Sequence, residues 1–364
     1  MLIYCTLIFN NQMQQGKLMK PLLILLSAML LSPALQAEPA KAKQGPELLP
    51  AFSSASSLKE NFSCYIGPFA SYDSWAAMLS NKPKFNSAAF EEQFPRAVVE
   101  TRQQNIDCRI FVYESDGILV EGVMLRPKAA AQNNQKLPVI IYNRGGNATL
   151  SKIHYGAIQQ NLMRFAEQGY IVIASQYRGA AGWTASASRD IMLDQFGGID
   201  VNDVVNLFPL IEGMPTADSQ RVAMIGVSRG SIMSYLAATR MPQLKALVIK
   251  SGGSDLEIAL QTRPSMNNVY EKFIPDYANN KSAELAKRSV LRWLDKLPQQ
   301  LPILLLHGEK DDRIDVSQAR TMAAALKQKK QPHKYIEYTG ADHYLIPNHA
   351  EADAETAAWL KQYL

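Results

Sequence analysis

Cysteine is scarce in this chain: three in 364 residues, at positions 5, 64 and 108. Neither these nor the five histidines stand at a spacing that ligates metal, so no metal centre is expected. Acidic residues are missing from the first 37 positions, where PLLILLSAMLLSPALQA follows Lys17 and Lys20 and ends on small residues before Glu38. That run falls short of the roughly 18 to 20 apolar residues of a membrane span, so it points to a secretory signal peptide cleaved near Ala37, not to an anchor. Met19, followed by Lys20, is a more usual start than Met1, which makes residues 1–18 a candidate upstream extension. No Cys follows the run, so a lipoprotein anchor is not suggested. Without the leader, 36 basic residues face 33 acidic ones, a surplus too small to suggest nucleic acid as a partner. Cys5 leaves with the leader. In a periplasmic or secreted protein, Cys64 and Cys108 could then form one disulfide or remain two buried thiols.

No internal repeat or low-complexity tract is present, and 47% hydrophobic with 20% charged residues is ordinary for one large globular domain. Residues 38–60, rich in Pro, Ala, Ser and Lys, read as a linker. Residues 61–106 carry short helical patterns such as SYDSWAAML and SAAFEEQF, enough for a small helical layer. From 107 onward the pattern changes. CRIFVY and ILVEGVML, joined by ESDG, predict an antiparallel hairpin. LPVIIYN, YIVIAS, RVAMIG, LKALVIK, LPILLLHG and KYIEY then alternate with helical patterns over 153–168, 200–212, 229–240, 315–328 and 351–363. Continuous apolar strands alternating with helices predict an α/β fold, a mostly parallel sheet covered on both faces. Residues 253–299, too long for an ordinary connection, form a candidate lid.

Within RVAMIGVSRGSIMSYL, Ser228 stands between Gly226 and Gly230 where a predicted strand meets a predicted helix. Chance produces G-x-S-x-G in roughly one chain of this length in ten, so context must decide. A strained strand-to-helix turn presents its tip residue above the sheet, and the helix N-terminus behind it favours developing negative charge. A serine hydroxyl needs a base oriented by a carboxylate, in the chain order Ser, acid, His on this fold. LLLHGEKDDRID offers Asp311, Asp312 and Asp315 after one strand, and KYIEYTGADHYLI offers His343 after the next. Spacing does not choose among the three acids. His349 is a rival base, while His307 ends a buried strand and Asp342 is too near His343 in sequence to reach its ring. YNRGGN places Gly145 and Gly146 where their N–H groups, with that of Arg229, would form an oxyanion hole.

These residues resemble a known family. GVSRG, HGEKDDRI, GADHY and DQFGGIDVNDVVNL are similar to the peptidase domain of prolyl oligopeptidases and their dipeptidyl and acylaminoacyl peptidase relatives, within the α/β hydrolases, across residues 108–364. The resemblance implies Ser228 as nucleophile, His343 as base and Asp311, the first Asp of the D-D pair, as the acid. It also implies that Arg313, two residues after the acid, binds substrate carbonyl or carboxylate groups. One departure is Arg144, which stands where the family has Tyr or His before the double glycine; it is a candidate substrate-binding side chain, and the side-chain part of the oxyanion hole is in question. The other is the large N-terminal β-propeller of that family, for which the residues before 108 are too few. A lone hydrolase domain is expected, with substrate selection by residues 61–106 and 253–299.

The resemblance therefore implies a serine hydrolase working through an acyl-enzyme, with a peptidase on short peptides expected first, and the leader-like N-terminus makes it an exported one. A carboxylesterase on small acyl esters is the alternative, and a non-catalytic binding protein on the same fold the third reading. The serine mechanism needs no cofactor, and none is expected. Oligomeric state is not readable from the sequence.

Overall fold

Among the described residues, nine strands form a single sheet in the order β1-β2-β3-β5-β4-β6-β7-β8-β9. The computed structural model describes residues 46–133 and 135–364, so the expected signal peptide lies outside the described residues. The strands are β1 (Leu58–Ser63), β2 (Ile106–Ser115), β3 (Ile118–Pro127), β4 (Leu137–Asn143), β5 (Ile171–Ser175), β6 (Ala217–Val227), β7 (Leu244–Lys250), β8 (Ile303–Gly308) and β9 (His333–Tyr338). The predicted hairpin is β2–β3, turning at Asp116 and Gly117; β1, β2, β3 and β5 pair antiparallel. From β5 across β4 to β9 every pairing is parallel.

Both faces of the parallel part are buried where its central strands carry continuous apolar runs. Val139, Ile141, Val222, Met224, Leu247, Ile249, Ile303 and Leu305 enter one core. Their neighbours Ile140, Tyr142, Ala223, Ile225, Ala246, Val248, Leu304 and Leu306 enter the other. Successive side chains of a strand point to opposite faces, so one apolar run supplies both layers. Helices at Gly230–Ala238, Ser317–Gln328 and His349–Tyr363 fall within two residues of their predicted bounds. Among the described residues no helix is long and apolar enough to cross a membrane.

The linker expected over 38–60 is corrected in its second half. Leu58–Ser63 forms edge strand β1, and Leu48 bridges Phe62. Phe52 is buried edge-on against Phe111 at 5.3 Å, and Ser53 Oγ donates to the Leu210 carbonyl at 2.7 Å. An edge strand needs only one ladder partner and a few buried side chains, so its composition can stay linker-like.

The helical layer is present at Tyr72–Ser80, Ser87–Gln93 and Arg96–Asn105. It closes on an aromatic cluster in which Trp75 meets Phe90, Phe94 and Tyr155 at 4.9, 4.8 and 4.8 Å, and Phe69 stacks on Tyr155 at 4.6 Å. Cys64 and Cys108 are joined, 44 residues apart in sequence, which resolves the choice left open between a disulfide and free thiols. The bond ties the entry to this layer to β2. Replacing both cysteines by serine should lower the unfolding free energy by about 2–4 kcal/mol, because the unfolded chain regains loop entropy. Urea unfolding of the double variant beside the parent checks this.

Candidate active site

The turn after β6 is built by close approach. Ser228 adopts φ +55°, the left-handed region that costs a non-glycine residue energy. A Cβ on Gly230 would lie 2.0 Å from the Asn143 carbonyl oxygen of β4, so the nucleophile helix can pass that strand only with glycine there. The Ser228 N–H donates to the Lys250 carbonyl at the end of β7 at 3.0 Å, which pins the elbow to the sheet.

Because β6, β8 and β9 run parallel, the segments after them reach the same edge of the sheet. Asp311 follows β8 and His343 follows β9. Both are buried, and His343 Nδ1 lies 2.9 and 2.8 Å from the two Asp311 carboxylate oxygens. The N–H groups of Arg313 and Ile314 each donate to Asp311 Oδ1 at 2.9 Å. Burial pushes the Asp311 carboxyl up, but hydrogen bonds from His307 and His343 and the His343 charge hold it well below the usual carboxylate range. Asp311 therefore stays ionised and orients the ring. Ser228 Oγ makes no hydrogen bond among the described residues; that link commonly tightens only when substrate binds.

The rival residues have other partners. Asp312 is exposed. Asp315 accepts the Ser317 N–H at 2.9 Å at the start of its helix, and Asp342 accepts those of Tyr344 and Ile346 within its own turn. His349 faces Asp353 at 3.2 Å.

The predicted oxyanion loop lies against the elbow: a Cβ on Gly145 would come 3.0 Å from Ser228 Cβ. Gly146 has φ +70°, and a Cβ there would sit 2.3 Å from the Leu150 carbonyl, so the loop requires glycine. The N–H groups of Gly145, Gly146 and Arg229 donate to no described residue and remain available for a substrate oxyanion.

Arg144 is corrected as a substrate-binding residue. Its buried guanidinium directs its donors at the carbonyls of Gly145, Ala148, Leu150 and Gln176, between 2.7 and 3.2 Å. Burial brings it down to about 10, still cationic at neutral pH. It shapes the glycine loop from behind.

Arg229 does the same from the other side. Its side chain donates to the Gly146 carbonyl at 3.0 Å and to both Asp194 oxygens at 2.6 and 2.8 Å, and it pairs with Asp200. Asp194 also accepts the Ala148 N–H at 2.6 Å. Burial pushes the Asp194 carboxyl up, but Arg229 outweighs this and holds it below its ordinary value; burial leaves Asp200 raised. Reading the sequence missed both carboxylates. Their signal was DQFGGID, two acids flanking a glycine pair, with nothing local to show that they meet the residue after the nucleophile.

Arg313 is exposed at the mouth of the site, its guanidinium 5.1 Å from the Tyr344 ring, which packs edge-on to His343 at 5.6 Å. The insertion over 253–299 packs on the other side. Leu256, Tyr270, Phe273, Ile274, Tyr277 and Leu285 form a third core with Ala148, Phe196 and Ile232. Arg288 donates to the carbonyls of Gln195 and Phe196, docking the insertion on the Asp194 segment.

A nucleophile elbow, an Asp–His pair and free amides at the C-terminal edge of a parallel sheet define a serine hydrolase of the α/β-hydrolase fold. Residues 157–364 match the prolyl oligopeptidase family, and the chain belongs to that family of serine peptidases. It is 28% identical over 256 residues to the uncharacterized peptidase YtmA of Bacillus subtilis, covering 69% of this chain and 93% of that protein. It is 29% identical over 262 residues to dipeptidyl-peptidase 5 of Porphyromonas gingivalis, covering 68% of this chain and 36% of that one. The chain thus spans nearly all of the first relative and about a third of the second. Among solved structures, Pyrococcus horikoshii acylaminoacyl peptidase superposes with a TM-score of 0.62 at 18% identity, over 78% of this chain and 44% of its own. A Mycobacterium tuberculosis puromycin-hydrolyzing peptidase gives 0.58 at 24% identity, over 70% and 39%.

If Asp194 holds the oxyanion loop through Ala148 and Arg229, Asp194→Asn should lower kcat roughly tenfold to a hundredfold, somewhat less than losing an oxyanion donor outright, and change KM less. Steady-state kinetics on a chromogenic substrate read the split.

Proposed function

We propose that the protein is an exported serine peptidase that cleaves short peptides through an acyl-enzyme at Ser228. The observation that carries the reading is the buried Asp311–His343 pair at the same sheet edge as a serine on a strained elbow. His343 Nε2 takes the proton of Ser228 Oγ as the oxygen attacks the scissile carbonyl carbon. The resulting oxyanion faces the N–H groups of Arg229 and of Gly145 or Gly146. The same imidazole then returns the proton to the leaving amine, and water repeats the sequence to release the acid and free Ser228.

Amide substrates are favoured over esters by the relatives, whose names are dipeptidyl-peptidase and acylaminoacyl peptidase. Arg313, exposed beside Tyr344 and without an acidic partner among the described residues, suits a peptide carbonyl or carboxylate. The insertion over 253–299, packed on Ala148 and Phe196, supports the reading in which it borders the substrate. Export to the periplasm or beyond is supported by the leader-like first 37 residues and by the Cys64–Cys108 disulfide, which belongs to an oxidising compartment.

The test compares hydrolysis of matched acyl esters, aminoacyl-nitroanilides and N-blocked aminoacyl-nitroanilides by the full chain, with Ser228→Ala as blank. Amide turnover that falls by about 10⁴-fold or more in Ser228→Ala is expected. Turnover of esters alone would make the protein a carboxylesterase, and activity surviving in Ser228→Ala would sink the nucleophile assignment.

A further inference from the structure

The triad's acid has a second imidazole on it. His307, at the end of β8 and only 1% exposed, points Nε2 at the Ile314 carbonyl oxygen, 2.8 Å away, and at Asp311 Oδ2, 3.2 Å away. Neither acceptor carries a proton, since one is a carbonyl and the other an ionised carboxylate. The proton of that contact must therefore sit on His307 Nε2. Asp311 thus accepts from two backbone amides and from two rings, with Oδ2 shared between His343 Nδ1 and His307 Nε2.

We infer that His307 is a positioning residue for the proposed reaction: its Nε2–H bridges the loop carbonyl of Ile314 and Asp311 Oδ2, fixing the plane and the charge of the carboxylate that holds His343. The inference rests on the triad reading above. Two consequences follow from the geometry. The bridge closes the segment from Asp311 to Ile314 back onto β8, so the carboxylate cannot rotate away from His343. It also shares the carboxylate's charge, so His343 feels less of it than it would from an Asp held by backbone alone.

Other charged groups near the ring are placed to leave this contact undisturbed. Asp315 caps its own helix. Glu337, opposite His307 in the β8–β9 register, is held by Arg320 at 2.8 Å and by Tyr335 at 2.7 Å. Lys250, on β7, turns to Asp353 at 2.9 Å.

Two variants separate donor from filler. In His307→Gln the imidazole Nε2–H is replaced by an amide N–H the same number of bonds from the backbone, whereas His307→Leu keeps bulk and has no donor. With the substrate of the preceding test, His307→Leu should lower kcat by about tenfold with KM within about twofold. The acid limb of its kcat/KM profile should move up by about half a pH unit, because the unshared carboxylate favours the His343 imidazolium more strongly. His307→Gln should restore both. In the parent enzyme with ¹⁵N-labelled histidine, the His307 resonances, assigned by their loss in His307→Gln, should show the Nε2-protonated form; this reading survives even if the Leu variant does not fold.

An unprotonated Nε2 in the parent, a Leu variant with the parent's kcat and acid limb, or a Gln variant as impaired as Leu would each overturn the inference. Ser228→Ala as blank keeps the two readings apart. Activity that depends on Ser228 but is indifferent to His307 defeats only the role of His307, while activity indifferent to Ser228 defeats the triad itself.

Discussion

The buried ion pair between Arg229 and Asp194 is the contact on which the rest of the site depends. A guanidinium taken out of water is tolerated only with excellent geometry, and Arg229 has both Asp194 oxygens, the Gly146 carbonyl and Asp200 around it. Arg229 is also the residue whose backbone N–H is proposed to serve the oxyanion hole. Its side chain therefore anchors one half of the hole while reaching across to the other, where Asp194 holds Ala148 and Arg144 holds the carbonyls of the glycine loop. The two arginines lie over the Tyr177 ring at 4.8 and 5.4 Å, and two carboxylates face them. Hydrogen-bond donors held in place before the reaction need no reorganisation when the oxyanion forms, and this cluster supplies the holding.

Around that cluster, the remaining layers act as supports for one loop. Its first part, at Arg144 to Ala148, is braced by the Arg229 network and by the insertion, which buries Ala148 and Phe196. Its far end, at Tyr155, is braced by the N-terminal layer through Trp75, Phe69 and Tyr65. The segments that the sequence suggests for substrate selection thus have a mechanical task first: each packs against a different end of the oxyanion loop. The disulfide fastens the N-terminal brace to the sheet at β2, the strand that begins the hydrolase part.

The members of the proposed triad could be picked out in the sequence because they sit at strand ends, where a continuous apolar run stops and a short polar loop begins. The central parallel strands were legible for the same reason, since burial on both faces leaves runs such as VIIY, IVIA, VAMI and ILLL unbroken by polar residues. Asp311 alone needed the family resemblance, because Asp311, Asp312 and Asp315 share one loop and only the fold shows which of them turns inward. Arg144, Asp194 and Asp200 were not legible. A cation beside two glycines looks like a ligand-binding group, and nothing local reveals that four backbone carbonyls surround it. Ion pairs between residues 29 and 35 positions apart, such as Arg229 with Asp200 and Asp194, exist only after the chain has folded. Strand β1 was missed on a different ground: Leu58–Ser63 is an edge strand with an irregular burial pattern, so its sequence carries no strict alternation.

The site uses carboxylates for two opposite ends. Asp194 faces a guanidinium that stays charged at every working pH, so its pairing is static and serves shape. In the proposed reaction Asp311 faces an imidazole that gains and loses a proton in each turnover, so its charge must be constant while its partner's changes. The fold secures this by depressing the Asp311 carboxyl through hydrogen bonds that outweigh burial. Since its folded value lies below the ordinary value near 3.9, the stability it contributes is present above that ordinary value and is lost only as pH falls through the lower folded one. Over the range in which an imidazole titrates, Asp311 is then a fixed negative charge, and the Arg144, Arg229 and Asp194 charges are fixed as well. Against those fixed charges His343 can serve, in the proposed reaction, as base in one half and acid in the other.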